Sequence, residues 1–220
     1  MFKKQAFTMA EVLITLGIIG IIAAMTIPAL IGKWQKQVFI NKVKYTYSIL
    51  ANALIMAQQE HGDPTEWDWG NSTSYENIKR VADTYILPYL NTLESSRKYG
   101  GRMIVTLKNG INFMFFVDGC TNSETCNPVT ISSFYIIMST KPKIIEMGAE
   151  GRDYSREDCI FVLNKNKKKL EFFNWGWYTR YGIINQANYG CNKNIPKNKR
   201  YNCGALIFYD GWQIKEDYPW

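Results

Sequence analysis

The chain has 220 residues, of which 46% are hydrophobic and 15% aromatic, and this composition excludes a wholly disordered polypeptide. Its net charge of +7 is uneven, with +4 in residues 1–62, −3 in residues 63–160 and +6 in residues 161–220. A single histidine argues against a histidine-rich metal site and a Ser-His-Asp hydrolase. Five cysteines, four of them in two closely spaced pairs, favour an oxidising compartment.

An apolar segment close to the N-terminus predicts a membrane helix. From Val12 to Gly32 there are 21 consecutive residues without a charge. At about 1.5 Å per helical residue they span roughly 31 Å, the thickness of a hydrocarbon core. Glu11 lies directly before this run, and an unpartnered carboxylate in lipid costs several kcal/mol, so Glu11 is a candidate functional residue. Lysines before and after the run give only a weak preference for a cytoplasmic N-terminus.

The residues around Glu11 form a motif, Lys3-Lys4-Gln5-Ala6-Phe7-Thr8-Met9-Ala10-Glu11-Val12-Leu13. It resembles the prepilin-type cleavage and methylation motif of type IV pilins and type II secretion pseudopilins: a short basic leader, a small residue at the cut, a Phe, and a Glu four residues later. The resemblance implies cleavage after Ala6 on the cytoplasmic face and N-methylation of Phe7 by a prepilin peptidase and methylase. Ala6 stands where the family usually has Gly, and we expect cleavage to persist there.

Glu11 and Pro28 are the predicted filament-assembly residues. A filament packed from apolar helices excludes water, so the new amine of Phe7 needs an anion, which Glu11 of the same or a neighbouring subunit supplies. The alternative places Glu11 at the lipid headgroups. Pro28 lacks an amide hydrogen and lies where many family members carry a proline, so it bends or unwinds the helix on assembly. The alternative for Pro28 is a passive kink.

The remaining pattern predicts an α+β, pilin-like fold: a long N-terminal α-helix, with a transmembrane half and an amphipathic half, packed on a C-terminal antiparallel β-sheet. Val43, Tyr47, Leu50, Leu54 and Ala57 form one apolar stripe at helical spacing. The predicted boundaries are a leader peptide at 1–6, a transmembrane and filament-core helix at 7–32, its amphipathic continuation at 33–62, and an extracytoplasmic head at 63–220.

Within the head, residues 63–99 predict a loop followed by one or two short helices, with Trp67 and Trp69 in the core. Short aromatic and β-branched runs then predict an antiparallel sheet with one face on a helix. The predicted strands are 102–108, 111–118, 133–139, 158–164, 169–173 and 204–210. Asn109-Gly110 favours a hairpin turn, and the charged run 164–169 favours another. The C-terminal 18 residues resemble the last strand and disulfide region of pilin-like families.

The cysteines predict two loop-closing disulfides. The simplest pairing joins Cys120 to Cys126 and Cys191 to Cys203, although five cysteines admit other connectivities. Cys159 begins a hydrophobic strand and is expected to be a buried free thiol.

Four acidic residues loosely resemble the calcium loop of major pseudopilins: Asp118, Asp153, Glu157 and Asp158. Their oxygens suit calcium, but residues 120–150 intervene and the lysine-glycine-proline segment of that family is missing. A solvated acidic surface is the favoured interpretation and calcium is the alternative. No other cofactor or metal is expected.

Two basic clusters lie late in the chain: Lys165, Lys167, Lys168 and Lys169, then Lys193, Lys197, Lys199 and Arg200. Basic patches interleaved with aromatic residues can bind the phosphates of nucleic acids. Solvated loop charge is the favoured interpretation, so nucleic acid is not an expected partner.

The leading functional hypothesis is therefore a structural subunit of a type IV pilus or type II secretion pseudopilus, with no enzymatic activity. Its expected partners are other pilin-like subunits, the prepilin peptidase, an inner-membrane assembly platform and membrane lipid. Its expected location is the bacterial inner membrane, crossed once, with the head in the periplasm or on the cell surface. The alternative is a minor or tip subunit that acts as a ligand-binding or DNA-uptake module.

Overall fold

The structure is a computed structural model that describes residues 8–90, 93–99, 101–119, 131–140, 158–174, 176–196 and 199–220. The chain divides into two compact units, one ending at Asn41 and the other beginning at Lys42. The elements in chain order are helix α1 (Met9–His61), helix α2 (Tyr75–Tyr85), strands β1 (Leu93–Tyr99), β2 (Arg102–Leu107), β3 (Asn112–Gly119), β4 (Ile131–Ser139), β5 (Asp158–Asn164) and β6 (Leu170–Phe172), and helices α3 (Arg180–Asn185) and α4 (Cys203–Tyr209).

In the first unit, the described residues are Thr8 and the first part of α1. Helix α1 continues through Pro28. From Thr8 to Leu30 every side chain except the half-buried Ala23 is exposed.

In the second unit, α1 buries the stripe that its sequence predicts. Val43, Leu50, Leu54 and Ala57 are buried, and Tyr47 contacts the sheet through its ring. The helix ends at His61, and Gly62 takes a positive φ of 75°, a conformation that a glycine adopts without steric cost.

Helix α2 is the short helix expected between residues 63 and 99. Ser74 caps its N-terminus by accepting a hydrogen bond from the N–H of Asn77. Both tryptophans before it are buried, which confirms their predicted place in the core. The Trp67 ring stacks on Tyr85 with centroids 4.3 Å apart, and Trp69 donates through Nε1 to the carbonyl of Pro64 at 2.6 Å.

The six strands form one antiparallel sheet in the order β1-β2-β3-β4-β5-β6, so each strand pairs with its neighbour in sequence. Five of the six match predicted runs, and the Asn109-Gly110 hairpin turn is confirmed by a φ of 78° at Gly110. The charged turn between β5 and β6 is confirmed as well.

Two rows of side chains cross the sheet, one on each face, because neighbouring residues on a strand point to opposite sides. The register joins Met103, Phe115, Ile136, Phe161 and Phe172 in one row, and Tyr47 of α1 contacts the last two of them. The other row joins Ile104, Met114, Ile137 and Ile160, which are also buried. The predicted packing of the sheet on the helix is confirmed, and with it the α+β, pilin-like fold.

Two element assignments from the sequence are wrong. Residues 93–99 were expected to be loop or helix, but they form β1, which among the described strands pairs with β2 alone and lies at the edge of the sheet. A polar edge strand carries little apolar alternation, and it protects the sheet from pairing with other chains.

Residues 204–210 were expected to be the last strand, but Cys203–Tyr209 is helix α4. The reason is tertiary packing. A Cβ added to Gly204 would lie 3.0 Å from the Phe172 ring and 3.2 Å from the Cys159 Sγ, so the α4 backbone lies directly on β5 and β6. This close approach outweighs the β-propensity of Leu206, Ile207 and Phe208.

Candidate functional site

Glu11, the acid of the N-terminal motif, is held by Thr8, the residue directly before helix α1. The Glu11 Oε2 accepts hydrogen bonds from the Thr8 N–H at 2.9 Å and from the Thr8 hydroxyl at 2.8 Å. The Glu11 N–H donates in turn to the Thr8 Oγ1 at 3.2 Å. This reciprocal arrangement is a capping box, which requires Ser or Thr at the first position and Glu or Gln three residues later.

The segment that follows Glu11 presents apolar side chains to its surroundings. Leu13 is 65% exposed and Met25 is 75% exposed. Its two hydroxyls are satisfied inside the helix, because Thr15 donates to the carbonyl of Val12 and Thr26 to that of Ile22, each at 2.9 Å. Within the described part of the chain, α1 is the one helix long and apolar enough to cross a membrane.

Pro28 lies inside this apolar helix. It offers no N–H to the carbonyl of Ala24, so one bond of the ladder is missing at this point. The predicted processing residues, Ala6 and Phe7, lie outside the described residues. The roles of Ala6, Phe7, Glu11 and Pro28 in processing and assembly remain predictions.

Of the predicted disulfides, Cys191–Cys203 is confirmed, with a separation of 12 residues along the chain. Cys120 and Cys126 lie outside the described residues. Cys159 is confirmed as a buried free thiol, and burial raises its pKa well above the ordinary value.

The calcium hypothesis falls largely on parts of the chain that are not described. Asp153 and Glu157 lie there, as does the side chain of Asp118, whereas Asp158 is buried at the start of β5. Among the described residues, no three His, Cys, Asp or Glu side chains are grouped so that they could hold a metal ion. Calcium therefore stays an untested prediction.

Three of the four lysines of the first basic cluster are paired with acids. Lys167 and Lys169 contact the Glu171 carboxylate at 2.6 and 3.2 Å, and Lys168 contacts Asp63 at 2.6 Å. The Lys168 hydrogen bond, followed by those from Thr65, lowers the pKa of Asp63 to about 2. Burial alone would raise the pKa of Glu171, but the two lysines lower it on balance.

In the second basic cluster, the Arg200 guanidinium donates to the carbonyls of Ile195 at 2.8 Å and Lys193 at 3.1 Å, so it braces its own loop. Lys197 lies outside the described residues. These contacts favour loop charge over phosphate binding.

Comparisons with known proteins give two matches. The model described as "Family of unknown function (DUF6613)" matches residues 29–220. The chain belongs to this family. The model described as "Prokaryotic N-terminal methylation motif" matches residues 1–27 of this DUF6613 chain, which confirms the resemblance to type IV pilins and pseudopilins. No curated protein and no solved structure matches the chain.

The methylation motif supports a pilin-like or pseudopilin subunit that is anchored in a membrane, and it points to a structural role rather than an enzymatic one. It implies processing by prepilin peptidase and assembly into a filament.

Two features were missed in the sequence. The Thr8-x-x-Glu11 spacing is the sequence signature of a capping box, so the capping box could have been predicted from the sequence. The other feature is a groove lined by Trp177, Tyr178, Phe208 and Tyr209. No local pattern predicts this groove, because its walls come from segments about 30 residues apart.

Proposed function

We propose that this DUF6613 chain is a structural subunit, a pilin or pseudopilin, of a type IV pilus or type II secretion filament. It is processed by prepilin peptidase and assembled through its N-terminal helix. The observation that carries the proposal is the methylation motif, joined to an apolar helix whose side chains are exposed nearly throughout residues 8–31. Such a surface is stable only when lipid or the helices of other copies cover it.

The proposed mechanism of assembly uses Glu11 as the partner of the Phe7 amine. Removal of the leader creates a positive charge next to an apolar helix, and a carboxylate nearby offsets the cost of taking that charge out of water. Because apolar helices slide past one another without a preferred register, this ion pair fixes the axial position of each subunit. Thr8 orients the carboxylate from within the same turn.

The head is placed outside the cytoplasm in this proposal. The Cys191–Cys203 disulfide supports this placement, because such bonds form and persist in oxidising compartments.

Two substitutions of Glu11 test the charge role and separate it from helix capping. Glu11→Ala removes both the charge and the cap, whereas Glu11→Gln removes the charge and keeps a capping-box side chain. We expect both variants to be cleaved after Ala6, and we expect both to be lost from sheared filaments by at least about tenfold, equivalent to about 1.4 kcal/mol. Intact mass spectrometry measures cleavage, and quantitative immunoblotting measures incorporation.

Normal incorporation of Glu11→Gln alongside failure of Glu11→Ala would show that capping alone matters. Normal incorporation of both variants would contradict the charge pairing. If the native chain is recovered uncleaved, the proposed function itself is wrong. The abundance of the wild-type chain in sheared filaments separates a shaft subunit, which dominates them, from a tip subunit, which is nearly absent.

A further inference from the structure

A groove of about 260 Å³ lies in the second unit beside strand β6. Phe172 and Tyr47 lie at its base, with rings stacked 5.5 Å apart. Its other aromatic residues remain open to solvent: Trp177 is 46% exposed, Tyr178 66%, Phe208 47% and Tyr209 52%. Four exposed aromatic rings at one concave site are unusual for a protein surface in contact with water, and they mark a binding surface.

The rings at the mouth of this groove are held in place. A Cβ at position 182 would lie 2.7 Å from the Trp177 ring, so the ring packs against Gly182, where only a glycine leaves room. The Tyr178 ring lies under the Lys167 ammonium at 5.6 Å, and the same Nζ is 3.3 Å from its hydroxyl. Rings fixed before binding lose little conformational entropy on binding, so the site is preorganised.

The polar side chains of the groove are close to neutral as a group. Lys169, Glu171 and Asn174 line it and provide both donors and acceptors. Glu171 is shared between Lys167 at 2.6 Å and Lys169 at 3.2 Å. The lysines are therefore committed to a carboxylate, and an anionic ligand would have to compete with it. This arrangement suits a ligand that offers hydroxyl groups and apolar C–H faces without a charge.

A second cavity adjoins the groove at strand β6. This cavity of about 220 Å³ shares Glu171, Phe172 and Asn174 with the first and is also lined by Tyr135 and Phe173. Two adjoining cavities that share a polar wall fit a chain of repeated units better than a single small molecule.

We propose that this aromatic groove binds a neutral polysaccharide chain. The flat C–H faces of the sugar rings stack on Trp177 and Tyr178, and the sugar hydroxyls exchange hydrogen bonds with Lys169, Glu171 and Asn174. Trp and Tyr suit this role because each combines a large apolar face with a polar edge. The site adds a binding function to the proposed structural role and does not depend on it.

The test uses the full chain, purified in lauryldimethylamine oxide, a detergent without a sugar headgroup, and studied by isothermal titration calorimetry. The probes are cellohexaose, chitohexaose and maltohexaose, with hexagalacturonic acid as an anionic chain of equal length. We expect saturable binding to at least one neutral hexasaccharide with a dissociation constant below about 1 mM. We expect hexagalacturonic acid to bind at least about tenfold more weakly.

Two substitutions in the groove and one control test where the polysaccharide binds. Trp177→Ala and Tyr178→Ala should each weaken it about tenfold. Tyr181→Ala is the matched control, because its ring is 78% exposed on α3 and does not line either cavity, so affinity should stay within about twofold. Thermal melting of each variant shows whether the fold is intact.

Absence of binding to all three neutral chains overturns the proposal, as does tighter binding of the anionic chain or affinity unchanged by both groove substitutions. If Trp177→Ala instead converts an oligomer to a monomer in sedimentation, the groove is a contact between copies and the proposal is also overturned. All of these measurements use unassembled protein, so their failure is distinct from a failure of filament incorporation.

Discussion

The Asp210 carboxylate binds two basic side chains of the C-terminal region, Arg180 and Lys215. Arg180 at the start of α3 donates to it twice, through Nε at 2.7 Å and Nη2 at 2.9 Å, and the Lys215 ammonium lies 2.7 Å away. Arg180 also reaches Asp217 at 2.8 Å. The Asp210 side chain is only 3% exposed, so its carboxylate is shielded from water, whereas Arg180, Lys215 and Asp217 are 30%, 48% and 44% exposed.

This network makes the stability of the head depend on pH. Burial alone would raise the pKa of Asp210, but hydrogen bonds from Arg180 and Lys215 hold it on balance below its ordinary value. A carboxylate with a lowered pKa in the folded state stabilises fully above its unfolded pKa, and the contribution is lost as pH falls through the folded value. We expect Asp210→Asn to lower the free energy of unfolding by about 2 kcal/mol at pH 7, with the difference shrinking below about pH 4. Urea unfolding of both proteins between pH 7 and 3 measures this.

The control is Asp83→Asn, which breaks an exposed ion pair with Lys79. Its effect should stay within about 0.5 kcal/mol. Equal effects of the two substitutions would contradict the account of Asp210.

The sequence predicts contacts between residues close together in the chain better than contacts between residues far apart. The Cys191–Cys203 bond joins cysteines close in the chain and was predicted, as was the buried thiol of Cys159. Arg180 and Asp210 are 30 residues apart, and no periodicity connects them, so their pairing appears only in the fold.

Among the elements, the C-terminal part of α1 places Tyr47 in an aromatic cluster formed by the sheet and the C-terminal region. The Tyr47 ring lies 5.5 Å from Phe172, 5.8 Å from Phe208 and 5.8 Å from Trp212. Trp212 adopts a φ of 66°, a strained conformation for a bulky residue that persists only when its surroundings hold it. The ring cluster around Tyr47 provides that support.

We expect Tyr47→Ala to lower the free energy of unfolding by about 3 kcal/mol, because it empties the centre of this cluster. The control is Tyr45→Ala on the same helix, where the ring is 37% exposed and the loss should be less than about 1 kcal/mol. Chemical denaturation followed by near-ultraviolet circular dichroism measures both. A loss for Tyr47→Ala no larger than that for Tyr45→Ala would contradict the role of the cluster.

Element types were predictable where a pattern is strong and local. The helical stripe on α1 and the short aromatic and β-branched runs of β2 to β5 need no tertiary information. Helix α4 was mistaken for a strand because its apolar residues suit either structure, and the choice is made by the contact between Gly204 and Phe172. Strand β1 lacks apolar alternation and is defined by its pairing with β2.

For the whole molecule, the apolar run of α1 and the second unit have two different kinds of surface. The described residues before Gly32 are almost entirely exposed and apolar, whereas the unit that begins at Lys42 has a core of its own with both sheet faces buried. The uncharged run Val12–Gly32 predicts the exposed apolar part, whereas the boundary at Asn41 was not predicted.

We expect a chain that starts at Lys33 to remain soluble without detergent, because it keeps the core of the second unit and loses the apolar run. The full chain should require detergent or lipid. Size-exclusion chromatography with light scattering measures both, and the melting temperature of the shortened chain reports its folding. Aggregation of the shortened chain, or a soluble full chain, would contradict this assignment of surfaces.

The Thr8–Glu11 capping box has a consequence for the order of events in the precursor. Its two donors hold the Glu11 carboxylate without any contribution from a free amine. In the proposed function, the acid would therefore enter the bilayer partly shielded, and membrane insertion would be independent of removal of the leader. A newly trimmed subunit would then exchange the two Thr8 donors for the Phe7 ammonium without exposing a bare charge.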